Sequence, residues 1–262
     1  MFNITPMVRN LLIINVVVYL LQLSGVISIR DFALHYFGSD YFRPIQLLTH
    51  MFMHDIQSWG HIFSNMFSLF IFGPLLERFW GPQRFLAFYL ITGLGASILY
   101  SGVRAYELNQ LEQETVAYIE NPSPMDFYNY MEEHYAGGYE RSFAVEYQRN
   151  PDNQTYISES KDAVRYVFSR IYNSPMLGAS GAVFGILMAF GMLFPNLELF
   201  LLFLPIPIKA KYFVLLYGAY ELYAGFNRVP GDNVAHFAHL GGMLFAYILV
   251  RMWQRNDYQD NY

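Results

Sequence analysis

The chain has 262 residues, of which 54% are apolar and 14% are Asp, Glu, Lys or Arg, against about 45–50% and about 25% in an ordinary soluble domain. Residues 104–170 hold 18 of the 37 charged residues, twelve acidic and six basic, so the formal net charge of −5 resides there and the sparsely charged remainder reads as membrane-embedded. No dense basic face of the kind that binds nucleic acid is present, and with zero cysteines any chemistry must come from Ser, His, Asn and carboxylates.

A membrane-crossing helix needs about 20 mostly apolar residues, and the sequence predicts six spans. The first is Asn10 to Ile27. No small-residue cleavage site follows it, because Leu23-Ser24-Gly25-Val26 lacks an A-x-A pattern, so the run is expected to be retained. An aromatic-rich, charge-poor loop from Ser28 to Gly60 suits packing at the membrane interface. The second span, His61 to Leu76, stops at Glu77-Arg78, and the third runs from Gln83 to Val103 after a Gly81-Pro82 break. Residues 104–170 form an acidic insertion, either a small soluble subdomain or a partly disordered segment, in which Arg104 to Ile119 and Asp162 to Tyr172 could be helical. The fourth span is Met176 to Phe194. Leu199 to Leu204 is too short to cross and is expected to lie on or dip into the bilayer before Pro205-Ile206-Pro207. Tyr212 to Phe226 is the fifth span. Asn233 to Met252 is the sixth, after a Pro230-Gly231 turn and with Asp232 and Asn233 as candidate caps.

Six spans put both termini on one side. With the N-terminus inside, seven basic residues of the short connections fall inside (Arg9, Arg78, Arg84, Lys209, Lys211, Arg251, Arg255) and three outside (Arg30, Arg43, Arg228), so the positive-inside bias favours this topology. It places the insertion outside. The lack of cysteine and of a cleavable signal suits a bacterial inner membrane.

Polar residues inside a span are expensive and ask for a reason. Ser180, in Gly178-Ala179-Ser180-Gly181, lies near the start of the fourth span, where free backbone N–H groups and the positive dipole end can stabilise an anion. Gly181 and Gly185 also make a G-x-x-x-G, so a small-residue helix contact is the competing reading. His236 and His239, at i and i+3 near the start of the sixth span, share a helix face and could act as a general base or as packing histidines. A metal is a third reading, with His50, His54 and His61 as further donors, but no H-E-x-x-H is present. His61 and Asn65, at i and i+4, could donate hydrogen bonds to an oxyanion. On the N-in topology the second, fourth and sixth spans all start at the outer face, so Ser180, His239, His61 and Asn65 share one depth. Glu77-Arg78 reads as a structural pair at a helix end. Glu221, near the outer end of the fifth span, reads as structural, with gating as a minority role.

These residues carry a family resemblance. Gly178-Ala179-Ser180-Gly181 matches the rhomboid G-x-S-G motif, Ala238-His239-Leu240-Gly241-Gly242 its A-H-x-x-G motif, and His61-Ile62-Phe63-Ser64-Asn65 its H-x-x-x-N motif. Thr49-His50-Met51-Phe52-Met53-His54 and Glu77-Arg78 with Gly81 match further. The chain resembles a rhomboid intramembrane serine protease. That implies an all-α, polytopic six-helix bundle, here with a long extra-membrane insertion between the third and fourth spans. It implies Ser180 as nucleophile and His239 as its base, a dyad with no third acidic member. His61, Asn65 and the backbone N–H of Ser180 would form the oxyanion hole. Phe184 would pack on the catalytic imidazole, and Gly178 and Gly181 would support close backbone approach. The fifth span and the loop after it would gate a substrate helix laterally. Partners implied are transmembrane protein substrates and membrane lipid, with no metal, organic cofactor or nucleic acid.

Three features depart from the family pattern. Ala246 stands where a glycine is usual, which should loosen packing slightly. His236 is an extra histidine one turn before the base, and the resemblance, not the chemistry, prefers His239. The insertion is the third. A non-proteolytic rhomboid-like protein that binds membrane clients and thins the bilayer is the alternative function, but its usual signature is loss of the serine or the histidine, and both are present. A proton-relaying transporter is a further alternative, against which no internal repeat is visible. If the insertion caps the cavity or selects substrates, deleting Glu107 to Asp162 changes cleavage rate or substrate range in a proteoliposome assay; an unchanged rate and range would refute that role.

Overall fold

The computed structural model describes residues 4–201, 204–227 and 234–259. Among these the chain forms eleven α-helices and one two-stranded hairpin. Contacts divide it into two compact units, one built from Met1–Ser101, Pro175–Asn227 and Val234–Tyr262, the other from Gly102–Ser174.

The first unit holds the apolar helices: α1 (Pro6–Leu23), α4 (Trp59–Trp80), the first half of α5 (Pro82–Glu120), α9 (Ser180–Leu193), α10 (Ala210–Phe226) and α11 (His236–Gln259). Helices α1, α4 and α5 are each long and apolar enough to cross a membrane. The all-α polytopic bundle expected from sequence is the observed architecture. Short helices α2 (Ile29–Phe32) and α3 (Gln46–Thr49) lie in the first loop. Buried Leu69, Leu76, Phe85, Phe88, Tyr89 and Ile186 from α4, α5 and α9 centre the core.

Several boundaries differ from the sequence-based ones for identifiable reasons. Helix α4 runs past Glu77-Arg78 to Trp80 because the Glu77 carboxylate is satisfied by the start of α1: it accepts hydrogen bonds from the N–H groups of Met7 (2.9 Å) and Val8 (2.8 Å) and from the Thr5 hydroxyl. An anion at a helix N-terminus satisfies orphan donors and complements the dipole. Glu77 therefore holds α1, not only the following turn. Gly81, at φ +80°, ends α4, and Pro82 opens α5, the usual division of labour between these two residues. Helix α5 does not stop at Val103 but continues through the polar residues to Glu120, where Asn121-Pro122 breaks it. Where an interfacial connector is expected at Leu199 to Leu204, the structure pairs β1 (Glu198–Leu201) antiparallel with β2 (Leu204–Lys209), with Glu198 opposite Lys209. In a two-stranded ribbon each strand has a free edge, which tolerates Pro205 and Pro207. Helix α11 starts at His236, and the expected caps Asp232 and Asn233 fall outside the described residues.

The second unit has helices and a core of its own. Helices α6 (Pro124–His134), α7 (Arg141–Arg149) and α8 (Gln154–Tyr172) join the polar half of α5. Their own core contains Leu108, Tyr118, Phe127, Tyr147, Val164 and Val167. Two pairs of buried hydroxyls meet inside it, Tyr118 donating to Ser160 Oγ at 2.6 Å and Thr115 lying 2.9 Å from the Tyr130 hydroxyl. Ser123 and Asn153 cap α6 and α8 through their side chains.

The first loop is ordered by one amide. Gln46 donates to the carbonyls of Asp31 (3.1 Å) and Tyr41 (2.9 Å), and its oxygen accepts from the N–H groups of His35 and Arg43. Gln22 of α1 pairs reciprocally with the backbone of His54 at 2.9 and 3.0 Å, fastening the loop's far end. Replacing Glu77 by Ala strips the acceptor from the first turn of α1, and a loss of about 1–3 kcal/mol is expected, measured as a lower unfolding midpoint in detergent, with Glu77→Gln retaining part of the stability.

Candidate active site

Ser180 is the first residue of α9, not four residues into a helix as the span limits implied. The preceding residues are held extended by the first loop. Met176 and Leu34 exchange backbone hydrogen bonds of 2.8 Å, and the Gly178 N–H donates to the His50 carbonyl at 2.9 Å. Gly178 adopts φ +126°, and a Cβ there would lie 2.8 Å from His61 Nε2. Only glycine accepts both that backbone and that neighbour. His50 is itself fixed, its Nδ1 2.9 Å from the Gln46 carbonyl and its Nε2 3.4 Å from Ser97 Oγ. Burial pulls its pKa down to about 4, so it is neutral at physiological pH. Sequence reasoning gave His50 no structural task, and the one that it has, setting the segment ahead of Ser180, runs through its backbone carbonyl. A small cavity beside Ser180 is lined by His50, Met176, Gly178, Gly181 and Ala238, among others.

Helices α9 and α11 meet without intervening side chains. A Cβ on Gly242 would stand 1.8 Å from the Gly181 carbonyl oxygen, and one on Gly181 would stand 2.4 Å from Ala96 Cβ of α5. One turn beyond Ser180, on the same face of α9, Phe184 stacks on the His239 imidazole with ring centroids 4.0 Å apart and planes 8° from parallel. Ala246, where a glycine is usual, is fully buried in the core.

The resemblance implies no acidic third member; the structure sets a carboxylate beside the imidazole. Glu221 Oε2 accepts a hydrogen bond from His239 Nδ1 at 2.8 Å and another from His236 Nδ1 at 2.7 Å. All three residues are buried. A carboxylate only accepts, so each Nδ1 carries its hydrogen and the Nε2 of neutral His239 keeps a free lone pair. Glu221 was read from sequence as structural; its cost inside an apolar segment was the signal that it serves a polar partner.

His61 takes the opposite tautomer. Its Nδ1 accepts from the Asp55 N–H at 3.3 Å, which leaves Nε2–H, beside Gly178, as the donor. Asn65 Nδ2 donates to the His61 carbonyl at 2.8 Å and has a second N–H remaining. His54 lies 5.2 Å from His61, ring to ring, and burial, then its neighbour His61, takes its pKa down to about 3.

Glu221, His236 and His239 bring three ligand atoms within 4.8 Å of one another. Adjacent donors around a tetrahedral zinc stand about 3.3 Å apart at ordinary bond lengths, however, and the spacings of 2.7 and 2.8 Å to one shared oxygen are those of hydrogen bonds. At these spacings Glu221 Oε2 is a forked hydrogen-bond acceptor. The Gly181–Gly242 approach yields a prediction: Gly242→Ala forces α9 and α11 apart, and overpacking of this kind costs typically about 1–3 kcal/mol, to be measured as a lowered unfolding midpoint.

The model of the Rhomboid domain matches residues 41–108 and 158–255 of the chain. The chain is 28% identical over 206 residues to RHOMBOID-like protein 12, mitochondrial, of Arabidopsis thaliana, covering 77% of this chain and 44% of that protein. It is 26% identical over 124 residues to Rhomboid protease AarA of Providencia stuartii, covering 42% of each. A third relative, Rhomboid-like protein 11, chloroplastic, of Arabidopsis thaliana, is 34% identical over 93 residues, covering 34% of this chain and 30% of that protein. The chain thus spans less than half the length of the curated relatives that it matches. With the domain match extending over more than half of its residues, the chain belongs to the rhomboid family.

Proposed function

We propose that the protein is an intramembrane serine endopeptidase that cleaves transmembrane or membrane-proximal segments of other membrane proteins, with Ser180 as nucleophile and His239 as base. The observation that carries this reading is the His239 imidazole: stacked on Phe184, with Nδ1–H engaged, it holds its Nε2 lone pair in the state that a general base needs. Ser180 Oγ attacks the carbonyl carbon of the scissile peptide while its proton passes to His239 Nε2. The tetrahedral oxyanion is held by the Ser180 backbone N–H, His61 Nε2–H and the remaining N–H of Asn65. Collapse breaks the C–N bond, and His239 returns the proton to the leaving amine. A water then gives its proton to His239 and attacks the acyl-enzyme, and His239 passes that proton to the leaving Ser180 Oγ as the carboxylate product is released. No step calls on a cofactor.

Gly178 and Gly181 support the site by letting His61 and α11 approach α9. Helix α9, at 14 residues, is about 21 Å long. That is shorter than the roughly 30 Å hydrocarbon core, which favours a Ser180 recessed from one membrane surface. The positive-inside bias favours both termini on the inner side and residues 104–170 outside, in what we take to be a bacterial cytoplasmic membrane.

The test is cleavage, in liposomes, of a single-span substrate rich in small and helix-breaking residues near its outer end. Ser180→Ala and His239→Ala are expected to abolish cleavage and His236→Ala to retain it at a reduced rate; loss of Asn65 or His61 is expected to cost about 10²- to 10³-fold. Labelling of Ser180 by a fluorophosphonate without cleavage would mean a mismatched substrate. Neither labelling nor cleavage would favour the client-binding, non-proteolytic reading.

A further inference from the structure

Two histidines one turn apart point their Nδ1–H groups at a single carboxylate oxygen, and only one of the two rings, His239, is stacked by Phe184. Glu221 belongs to α10, not to the helices that carry Ser180, His239 or His61. Its side chain is 3% exposed. Burying a carboxylate costs several kcal/mol even after relaxation, and two N–H donors offset only part of that. A role confined to holding α10 against α11 could be met by an uncharged amide at far lower cost.

We propose that Glu221 is a positioning residue that completes a Ser180–His239–Glu221 triad, and that His236 orients the carboxylate by donating to the same oxygen. The proposal rests on the protease reading above. An imidazole beside a serine has two freedoms to lose. Stacking on Phe184 fixes the plane of the His239 ring, and the Nδ1–H···Oε2 bond fixes its rotation within that plane and its tautomer. When His239 takes the Ser180 proton, the bond to Glu221, already assisted by the carboxylate's charge, gains a charged donor as well and strengthens further. The other titratable groups around the cluster, among the described residues, are His61 of α4 and Tyr217 and Tyr220 of α10. Tyr217 packs on Phe184 at 4.8 Å and Tyr220 meets His236 at 6.4 Å, ring to ring. None of them contributes a second carboxylate.

The experiment compares wild type, Glu221→Gln and Glu221→Asp in proteoliposomes, measuring kcat and KM on the single-span substrate, the rate of fluorophosphonate labelling at Ser180, and the unfolding midpoint. Glu221→Gln keeps the shape and removes the charge. It is expected to lower kcat and the labelling rate together by about 10- to 100-fold, a portion of the 10²–10⁴ typical of a general base, with KM within about twofold of wild type. Glu221→Asp, which keeps the charge, should recover part of both rates. Equal losses in Gln and Asp, tracking the unfolding midpoint, would overturn the proposal, as would an unaltered kcat in Glu221→Gln. Should Glu221→Gln fail to fold, Glu221→Asp decides alone: a reduced kcat at unchanged KM and midpoint supports the triad, and an unchanged kcat overturns it. A wild type that neither cleaves nor labels would sink the protease reading and this one with it, whereas a cleaving wild type with an indifferent Glu221 would sink only the triad.

Discussion

Where α9 crosses α11, Gly181 and Gly242 present bare backbone to each other, and the chain leaves no room for even one methyl group. In a bilayer the hydrophobic effect gives helices little reason to associate, so close packing of small residues has to supply the attraction. That contact brings the beginning of α9 and the beginning of α11 to one place. With Ala96 it also draws in α5. Phe184 can lie flat on His239 only because the two helix axes are this close.

Around that contact the site is assembled from the outside inwards. The first loop's backbone carbonyl at His50 and its Leu34–Met176 bridge hold the extended residues ahead of Ser180. Its own order depends on Gln46 and on the Gln22 clasp with His54. Each of these is an amide pairing with backbone, the type of bond that satisfies buried polar groups without placing a charge in an apolar slab.

Much of this was legible in the sequence. Long apolar runs with Gly-Pro or Pro-Gly breaks give the helices, and three short motifs on three spans give the polar cluster. What was not legible has physical causes. The hairpin at 198–209 is a short apolar run whose periodicity does not separate strand from helix. The start of α9 was placed too early because Met176 and Leu177 are as apolar as the helix itself, and only the positive φ of Gly178 and the bridge to Leu34 keep them extended. Helix α5 was cut short because its composition turns polar at Arg104, although nothing there breaks a helix. Glu221 was underread because its partners are fifteen and eighteen residues away, on another helix, beyond the reach of local spacing.

In the proposed mechanism, the shared carboxylate also changes what kind of electrical event the first chemical step is. In an isolated serine–histidine pair two neutral groups become an imidazolium and an oxyanion, and a low-dielectric interior charges heavily for making opposite charges where there were none. With Glu221 ionised beside His239, the negative charge exists before substrate arrives. Transfer of the serine proton then neutralises the carboxylate's surroundings while a new negative charge grows on the substrate oxygen, so the net result is one elementary charge displaced from α10 toward the oxyanion donors. The water-poor environment, which would oppose charge creation, has far less purchase on charge displacement.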